Sequence, residues 1–181
     1  LSGNGEPTSA AEFPEAIRIA GEVLADAGLS PDVRVRVITN GSLVLRPRVI
    51  EGLRRLDALG GEVWFKLDAG TTEGFRRING TAASPHAVAR RLRRCAAACA
   101  TWIQTCLFSL DGRAPDDAEI GAYLALLEEA GFALLRGVHL YGLARASRQP
   151  GAGRLGLAPP ECFDRLAARL RERGLTVTIS P

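Results

Sequence analysis

Methionine is absent from this 181-residue chain, even at position 1. The chain opens instead on an apolar residue that reads as a strand end. The expectation is therefore a fragment whose N-terminal part stands upstream of Leu1. Lysine is almost absent too: of 23 basic residues, Lys66 alone is not arginine. A drift to arginine that spares one position suggests a place where a compact ammonium is needed rather than a planar fork. The net charge of +3 is too small to imply a nucleic-acid partner by itself. Side-chain amides are scarce, with Asn at 4, 40 and 79 and Gln at 104 and 149. Asn4, Asn40 and Gln104 fall at expected strand ends, which suggests hydrogen-bonding roles. For Asn40 plain Asn-Gly turn chemistry explains the residue equally well, and for Asn79 turn chemistry is the preferred reading.

No apolar run approaches the roughly 20 residues that a bilayer span requires, and no secretory signal is visible, which favours the cytoplasm. The four cysteines offer no disulfide framework. Cys95 and Cys99 share a helical face with Val88 and Leu92, so they read as small core residues rather than metal ligands. Cys106 ends an apolar strand and is expected to be buried. Cys162, in the first turn of the last helix, reads as a packing residue. His86 and His139 stand too far apart to form a ligand set. The arginine-rich stretches 90–94 and 165–173 fall on polar helical faces, read as solvated, with an RNA-contacting patch as the alternative.

Hydrophobic residues make up 46% of the chain, enough for one domain, 1–181, with a sizeable core. Apolar positions at helical spacing, caps and glycine stops predict helices over 13–28, 47–60, 71–78, 84–99, 117–132 and 159–173. Strands are expected over 33–39, 63–67, 101–108, 138–144 and 175–179, with a Gly/Pro-rich loop over 149–157. Strands alternating with helices of 10–16 residues imply a parallel sheet with right-handed crossovers, in which ligands sit at the carboxyl ends of the strands. Four strand ends carry polar tips: Ser2 to Thr8, Thr39-Asn40-Gly41, Lys66 to Gly70, and Gln104 to Cys106. Glycines there allow close backbone approach to a small molecule. Glu6 and Thr8 offer an acceptor and a donor. Glu6, Lys66 and Asp68 are the best chemical candidates, with a structural ion pair at a barrel rim as the alternative.

These residues resemble a family. Ser2-Gly3-Asn4-Gly5-Glu6-Pro7-Thr8, Ile38-Thr39-Asn40-Gly41, and Lys66-Leu67-Asp68-Ala69-Gly70 with Phe75-Arg76-Arg77-Ile78-Asn79 are similar to the radical S-adenosylmethionine (SAM) enzymes. The nearest branch contains wyosine-type tRNA-modifying synthases and glycyl-radical-activating enzymes. The similarity runs over essentially the whole chain. It implies an α/β fold, a partial (β/α) barrel of parallel strands lacking its first β/α unit. It implies that Gly3, Asn4, Gly5, Glu6 and Thr8 contact the methionyl part of SAM, with Glu6 accepting hydrogen bonds from its ammonium. Asn40, Lys66 and Asp68 would face SAM and substrate, with Lys66 and Asp68 in the catalytic role. Gln104 matches the next strand end, and Arg145, in Tyr141-Gly142-Leu143-Ala144-Arg145, the one near the adenine. The implied cofactors are SAM and a 4Fe–4S cluster. The implied partners are a small-molecule, protein or tRNA substrate and an electron donor such as flavodoxin or ferredoxin, with no membrane.

The chain departs from that family in one large respect: the Cys-x3-Cys-x2-Cys cluster motif is absent. Cys95-x3-Cys99 would need a cysteine at 102, where Trp102 stands. The resemblance then implies ligand cysteines upstream of Leu1, and no metal ligand in this chain. Two readings from other classes compete. One is a β/α-barrel aldolase or lyase with Lys66 as Schiff base; the other is a non-catalytic module that reads RNA through its arginine faces. Anaerobic reconstitution of the chain with iron and sulfide should give no stoichiometric thiolate-to-iron charge-transfer absorption; a full-strength band would show that its own cysteines ligate a cluster.

Overall fold

The computed structural model describes residues 1, 5–29, 33–143 and 151–180. Among the described residues, seven strands and six α-helices follow one another as α1 (Phe13–Asp26), β1 (Arg36–Thr39), α2 (Pro47–Ala58), β2 (Glu62–Lys66), α3 (Thr72–Asn79), α4 (Pro85–Ala96), β3 (Thr101–Cys106), β4 (Phe108–Leu110), α5 (Asp117–Ala130), β5 (Leu135–Tyr141), β6 (Leu155–Leu157), α6 (Pro160–Arg171) and β7 (Thr176–Ser180). Five strands form one parallel sheet in the order β1-β2-β3-β5-β7. This is the expected partial β/α barrel. Leu1 adds to the outer edge of β1: its amino group donates to the Arg36 carbonyl, and its carbonyl accepts from the Ile38 amide at 3.1 Å.

The core lies on one side of the sheet. Val37, Val63, Phe65, Ile103, Val138 and Leu140 meet Ile17, Leu53, Leu92, Leu127 and Leu166 from the helices, all nearly inaccessible to solvent. Full burial of each such side chain contributes about 1.5–3 kcal/mol. Because side chains alternate along a strand, every second residue faces the other way. On β3, Thr101, Ile103 and Thr105 are buried, whereas Trp102, Gln104 and Cys106 are half-buried on the open face. Cys106 is thus not the buried core residue expected from its apolar strand, since its even register turns it outward. Cys95 and Cys99 are core residues, and burial pushes both thiols up to about 12.

The open face is floored by an aromatic group. Both tryptophans are there: Trp102 stacks on His139 with ring centroids 4.5 Å apart, and Trp64 tilts against the same imidazole at 4.8 Å. Glu62 accepts from Arg36 Nε at 2.5 Å and from Trp64 Nε1 at 3.1 Å. Burial works against the Glu62 carboxylate, but these partners outweigh it and hold its pKa below the usual range. The Trp102 ring lies over Gly137, where a Cβ would come within 2.4 Å of Cζ3 and 2.3 Å of the Thr176 carbonyl. The register with β3 shifts just before that glycine, leaving Arg136 unpaired, and β5 begins at Leu135, three residues before the expected start.

Two other strands depart from expectation. β1 starts at Arg36 rather than at 33. The apolar run 101–108 is two strands: beyond Cys106 the chain leaves the sheet as β4 and pairs antiparallel with β6, inside the segment read as a loop. Asp111, at φ +54°, turns this ribbon, and its carboxylate takes a two-pronged bond from Arg154 at 2.8 and 2.6 Å. The arginine-rich helical faces also have internal duties. Arg93 donates to the Ala130 and Glu129 carbonyls at the end of α5, and Arg165 to the Pro115 carbonyl. The Arg93 contacts satisfy carbonyls at the C-terminus of α5 and suit its dipole. Among the described residues no helix is long and apolar enough to cross a membrane.

The loop after β2 is held against α5 by Gly70, where a Cβ would fall 2.2 Å from the Tyr123 backbone nitrogen. Backbone cannot yield as a flexible side chain can. Gly70→Ala should therefore lower the unfolding free energy by at least about 2 kcal/mol in urea titrations, more than an ordinary surface change; a shift below about 0.5 kcal/mol would contradict this packing.

Candidate functional site

At the carboxyl ends of β1 and β2 a cavity of about 790 Å³ opens between the Gly5–Pro7 segment, the β1 tip and the α3–α4 connection. Its size falls in the range of small-molecule sites. Glu6, Asn40, Lys66 and Asp68 all line it, together with Asn79 and Arg91. Position at strand ends was the signal that identified the first four. Asn79 was read as turn chemistry alone, and Gly80, left-handed at φ +66°, does stop α3 just after it. Arg91 was grouped with solvated arginines; it is half-buried, its Nε donates to the Ala87 carbonyl at 3.1 Å, and it borders the cavity.

Glu6 is a knot. Oε1 accepts from the Thr8 amide at 3.2 Å, the Thr8 hydroxyl at 2.6 Å and the Thr39 hydroxyl at 2.6 Å, while Oε2 accepts from the Asn40 amide at 2.8 Å. One carboxylate thus caps the short 3₁₀ turn Pro7–Ser9 and ties it to the end of β1. Arg48 adds a second tie through the Ser9 and Ala10 carbonyls. Thr8 is 1% exposed and its hydroxyl is spent on Glu6. The expectation that Thr8 offers a donor to a ligand is therefore corrected: it serves the loop that a ligand would meet. Glu6 keeps spare acceptor capacity mainly on Oε2.

The other strand tips follow from local chemistry. Asn40 Oδ1 accepts from the Ser42 amide at 2.9 Å, an Asx-type turn, so Asn40 both makes the turn and borders the cavity. Gly41 is left-handed at φ +70°, and a Cβ there would overlap the Phe65 ring at 2.1 Å. Gly5 differs: a Cβ would meet no protein atom within 4 Å, so packing does not demand glycine there. Gly3, Asn4 and Arg145 lie outside the described residues. Gln104 is within β3, two residues before its end, on the open face and not on the cavity wall.

Lys66 and Asp68 flank Leu67 and share the open side of β2. Asp68 Oδ1 accepts from the Cys106 amide at 2.9 Å, and Lys66 Nζ donates to the Tyr141 hydroxyl at 3.0 Å. Burial raises the Asp68 carboxyl above its ordinary range, against the opposing pull of Lys66, the Cys106 amide and the neighbouring Asn79 side chain. Burial disfavours the Lys66 ammonium, but Asp68 and Tyr141 outweigh it and the amine sits above its usual value. A Schiff-base lysine needs a free amine near neutrality. This one is held protonated, so the geometry does not favour the aldolase reading. Burial also pushes the Cys106 thiol up to about 11, leaving it neutral. The arrangement can bind and orient a small polar molecule through a cation, a partly neutralised carboxylate and the side-chain NH2 of Asn40. Among the described residues no three His, Cys, Asp or Glu side chains come together as a metal set.

Glu6→Gln should disturb this knot. An amide nitrogen must then face donors on one side, and a charge-assisted bond is worth about 1.5–3 kcal/mol. We expect a loss of about 1–3 kcal/mol in chemical denaturation, with Glu15→Gln, on the exposed face of α1, as a near-silent control. Equal stability of the Glu6 variant and the parent would show that the knot carries no load.

No protein-family model and no curated protein matches the chain. Solved structures do share its arrangement. A domain of pyruvate-formate lyase-activating enzyme from Bacteroides vulgatus aligns over 95% of this chain and 96% of its own length, at 15% identity and a TM-score of 0.62. SuiB from Streptococcus suis aligns over 97% of this chain and 37% of its own, at 9% identity and 0.61. A radical SAM methyltransferase from Sphaerobacter thermophilus aligns over 80% of this chain and 39% of its own, at 20% identity and 0.52. The chain spans under two fifths of these last two proteins. At such identities the likeness shows the fold alone, and that fold is the radical SAM half-barrel.

Proposed function

We propose that this chain is the SAM- and substrate-binding part of a radical SAM enzyme. The observation that carries the reading is the cavity at the carboxyl ends of β1 and β2, where the polar tips of a radical SAM fold converge. The residues fit SAM. Gly5 leaves room that no protein atom uses, Glu6 Oε2 and Asn40 offer polar edges beside it, and Lys66, Asp68 and Arg91 supply charge of both signs. When bound, SAM would supply radical chemistry for hydrogen abstraction from a substrate. The work of the chain is to bind and orient it. Glu6 would hold the loop against which the methionyl ammonium rests, and Arg91 would neutralise the methionyl carboxylate. Lys66 and Asp68 would set the charge near ribose and substrate, and the apolar walls from Phe75 and Val88 would exclude water.

A 4Fe–4S cluster does not fit the described residues of this chain. Cys95, Cys99 and Cys162 are core residues, and Cys106 stands on another element. A cluster would have to take its ligands from outside this chain. The substrate class stays open among small molecules, proteins and tRNA. The likeness to an activating enzyme gives a protein substrate some support. Nothing on the arginine faces favours the RNA-binding alternative, since Arg93 and Arg165 are used within the fold.

The test is reductive turnover by the complete gene product, reconstituted anaerobically with iron and sulfide and supplied with SAM and dithionite. Release of 5′-deoxyadenosine and methionine is expected. Arg91→Gln should weaken SAM binding by about tenfold, as loss of one charge-assisted contact implies. No SAM binding by the intact protein, together with a borohydride-trapped adduct on Lys66, would replace this reading by the aldolase one.

A further inference from the structure

A second cavity borders Asp68, which is the one described residue that it shares with the Glu6 cavity. It lies among α3, α5, α6 and β4, and its walls are apolar: Ile78, Ile120 and Leu166 from the helices, and Phe108 and Leu110 from one face of β4. Its volume is about 50 Å³. A single water needs about 10–15 Å³ of such space, so the chamber has room for about four heavy atoms. It adjoins a wider polar vestibule of about 220 Å³ at the start of α5, with Thr71, Arg77, Arg113 and Glu119 common to both. Glu119 pairs with Arg77 and accepts from the Asp116 amide at 3.1 Å, so the mouth between α3 and α5 is tied on both sides.

Three buried or half-buried polar side chains interrupt these walls: Asp68, Thr105 and Tyr123. Their hydrogens can be counted. The Thr105 hydroxyl donates its one hydrogen to the Leu67 carbonyl at 2.9 Å. The Tyr123 hydroxyl stands 2.7 Å from the same Thr105 oxygen, so the tyrosine must be the donor of that bond. Asp68 Oδ1 accepts from the Cys106 amide at 2.9 Å, and the Asn79 side chain adds a donor to the same carboxyl. Both hydroxyl hydrogens are therefore spent, and the Tyr123 oxygen, on a residue 4% exposed, is left as an acceptor. A water donating to it would turn its second hydrogen toward apolar wall, and a buried donor without a partner is costly. An alcohol carries one hydrogen and has carbon where water has the other. An ammonium would bring surplus hydrogens and a charge into apolar surroundings, at a larger cost.

We propose that this chamber is a second ligand site and that it takes a short aliphatic alcohol, free or as the end of a larger ligand held in the vestibule. The hydroxyl donates to the Tyr123 oxygen, and about three carbons fill the space among Ile78, Ile120, Leu166 and the β4 side chains. Tyr123 and Thr105 are the residues that give the site its preference, and the apolar walls set the length of the chain it accepts. The site needs neither SAM nor a cluster, so it stands or falls apart from the reading of the Glu6 cavity.

The experiment titrates the chain of residues 1–181, carrying ¹³C at tyrosine Cζ and at isoleucine methyls, with 1-propanol. The chain has two tyrosines, and Tyr141, which lines neither cavity, is the internal reference. 1-Propanol should shift the Tyr123 resonance saturably and leave Tyr141 unmoved. 1-Chloropropane, of similar size but with no hydrogen to donate, should bind about fivefold more weakly, as loss of one buried hydrogen bond implies, and propylammonium more weakly still. In Tyr123→Phe, read from the Ile120 methyl, propanol and chloropropane should bind alike. Ile78→Phe should fill the chamber and abolish the propanol shift. No saturable Tyr123 shift means that the chamber holds water alone, and that result overturns the proposal. Equal movement of both tyrosines, as a general solvent effect gives, overturns it too, as do equal affinities of propanol and chloropropane for the parent. A purely structural tyrosine would lower the melting temperature of Tyr123→Phe and leave the propanol-to-chloropropane ratio as in the parent. If Tyr123→Phe does not fold, that ratio in the parent chain decides alone.

Discussion

Everything in this molecule follows from the helices covering a single face of the sheet. A parallel sheet usually needs both faces buried, and its strands then read as unbroken apolar runs. Here β3 alternates Thr101, Ile103 and Thr105 toward the helices with Trp102, Gln104 and Cys106 toward the open side. One-sided cover lets the second face carry polar and aromatic groups without unmet desolvation. The open face can then be layered: an ion pair and aromatic rings at the amino ends of the strands, and lysine, tyrosine and carboxylate at the carboxyl ends. A two-sided fold would have had no place for a half-buried ammonium.

The fold was largely legible in the sequence. Six helices and five sheet strands stand within a few residues of where periodicity and caps put them, because amphipathic spacing reports which side of an element is buried. Pattern failed where the controlling partner is distant. The early part of β5 pairs with β3, Leu135 against Thr101 and Gly137 against Trp102, partners 34 and 35 positions away in sequence. The split of β3 from β4 depends on β6, almost 50 residues further on. Neither strand's own composition contains that information.

The candidate site was legible by position and less so by role. Strand-end placement led to Glu6, Asn40, Lys66 and Asp68. It could not say that Glu6 accepts from Thr39 and Asn40 as well as from its neighbour Thr8, since the first two bonds join segments more than 30 residues apart. It could not separate Arg91, on the cavity, from Arg90, exposed on the same helix. Tyr141 offers Lys66 a single oxygen at 3.0 Å, which a compact ammonium matches better than a planar fork does.

The gathering of both tryptophans around one imidazole has an optical consequence. Indole emission responds to what touches the ring, and here every indole in the chain contacts His139 on the face that is free of helices. Burial lowers the pKa of that imidazole, so it stays uncharged at neutral pH and becomes a cationic quencher only in acid. The tryptophan emission of the protein is therefore not an average over its interior. It is a local signal from the open side of the sheet.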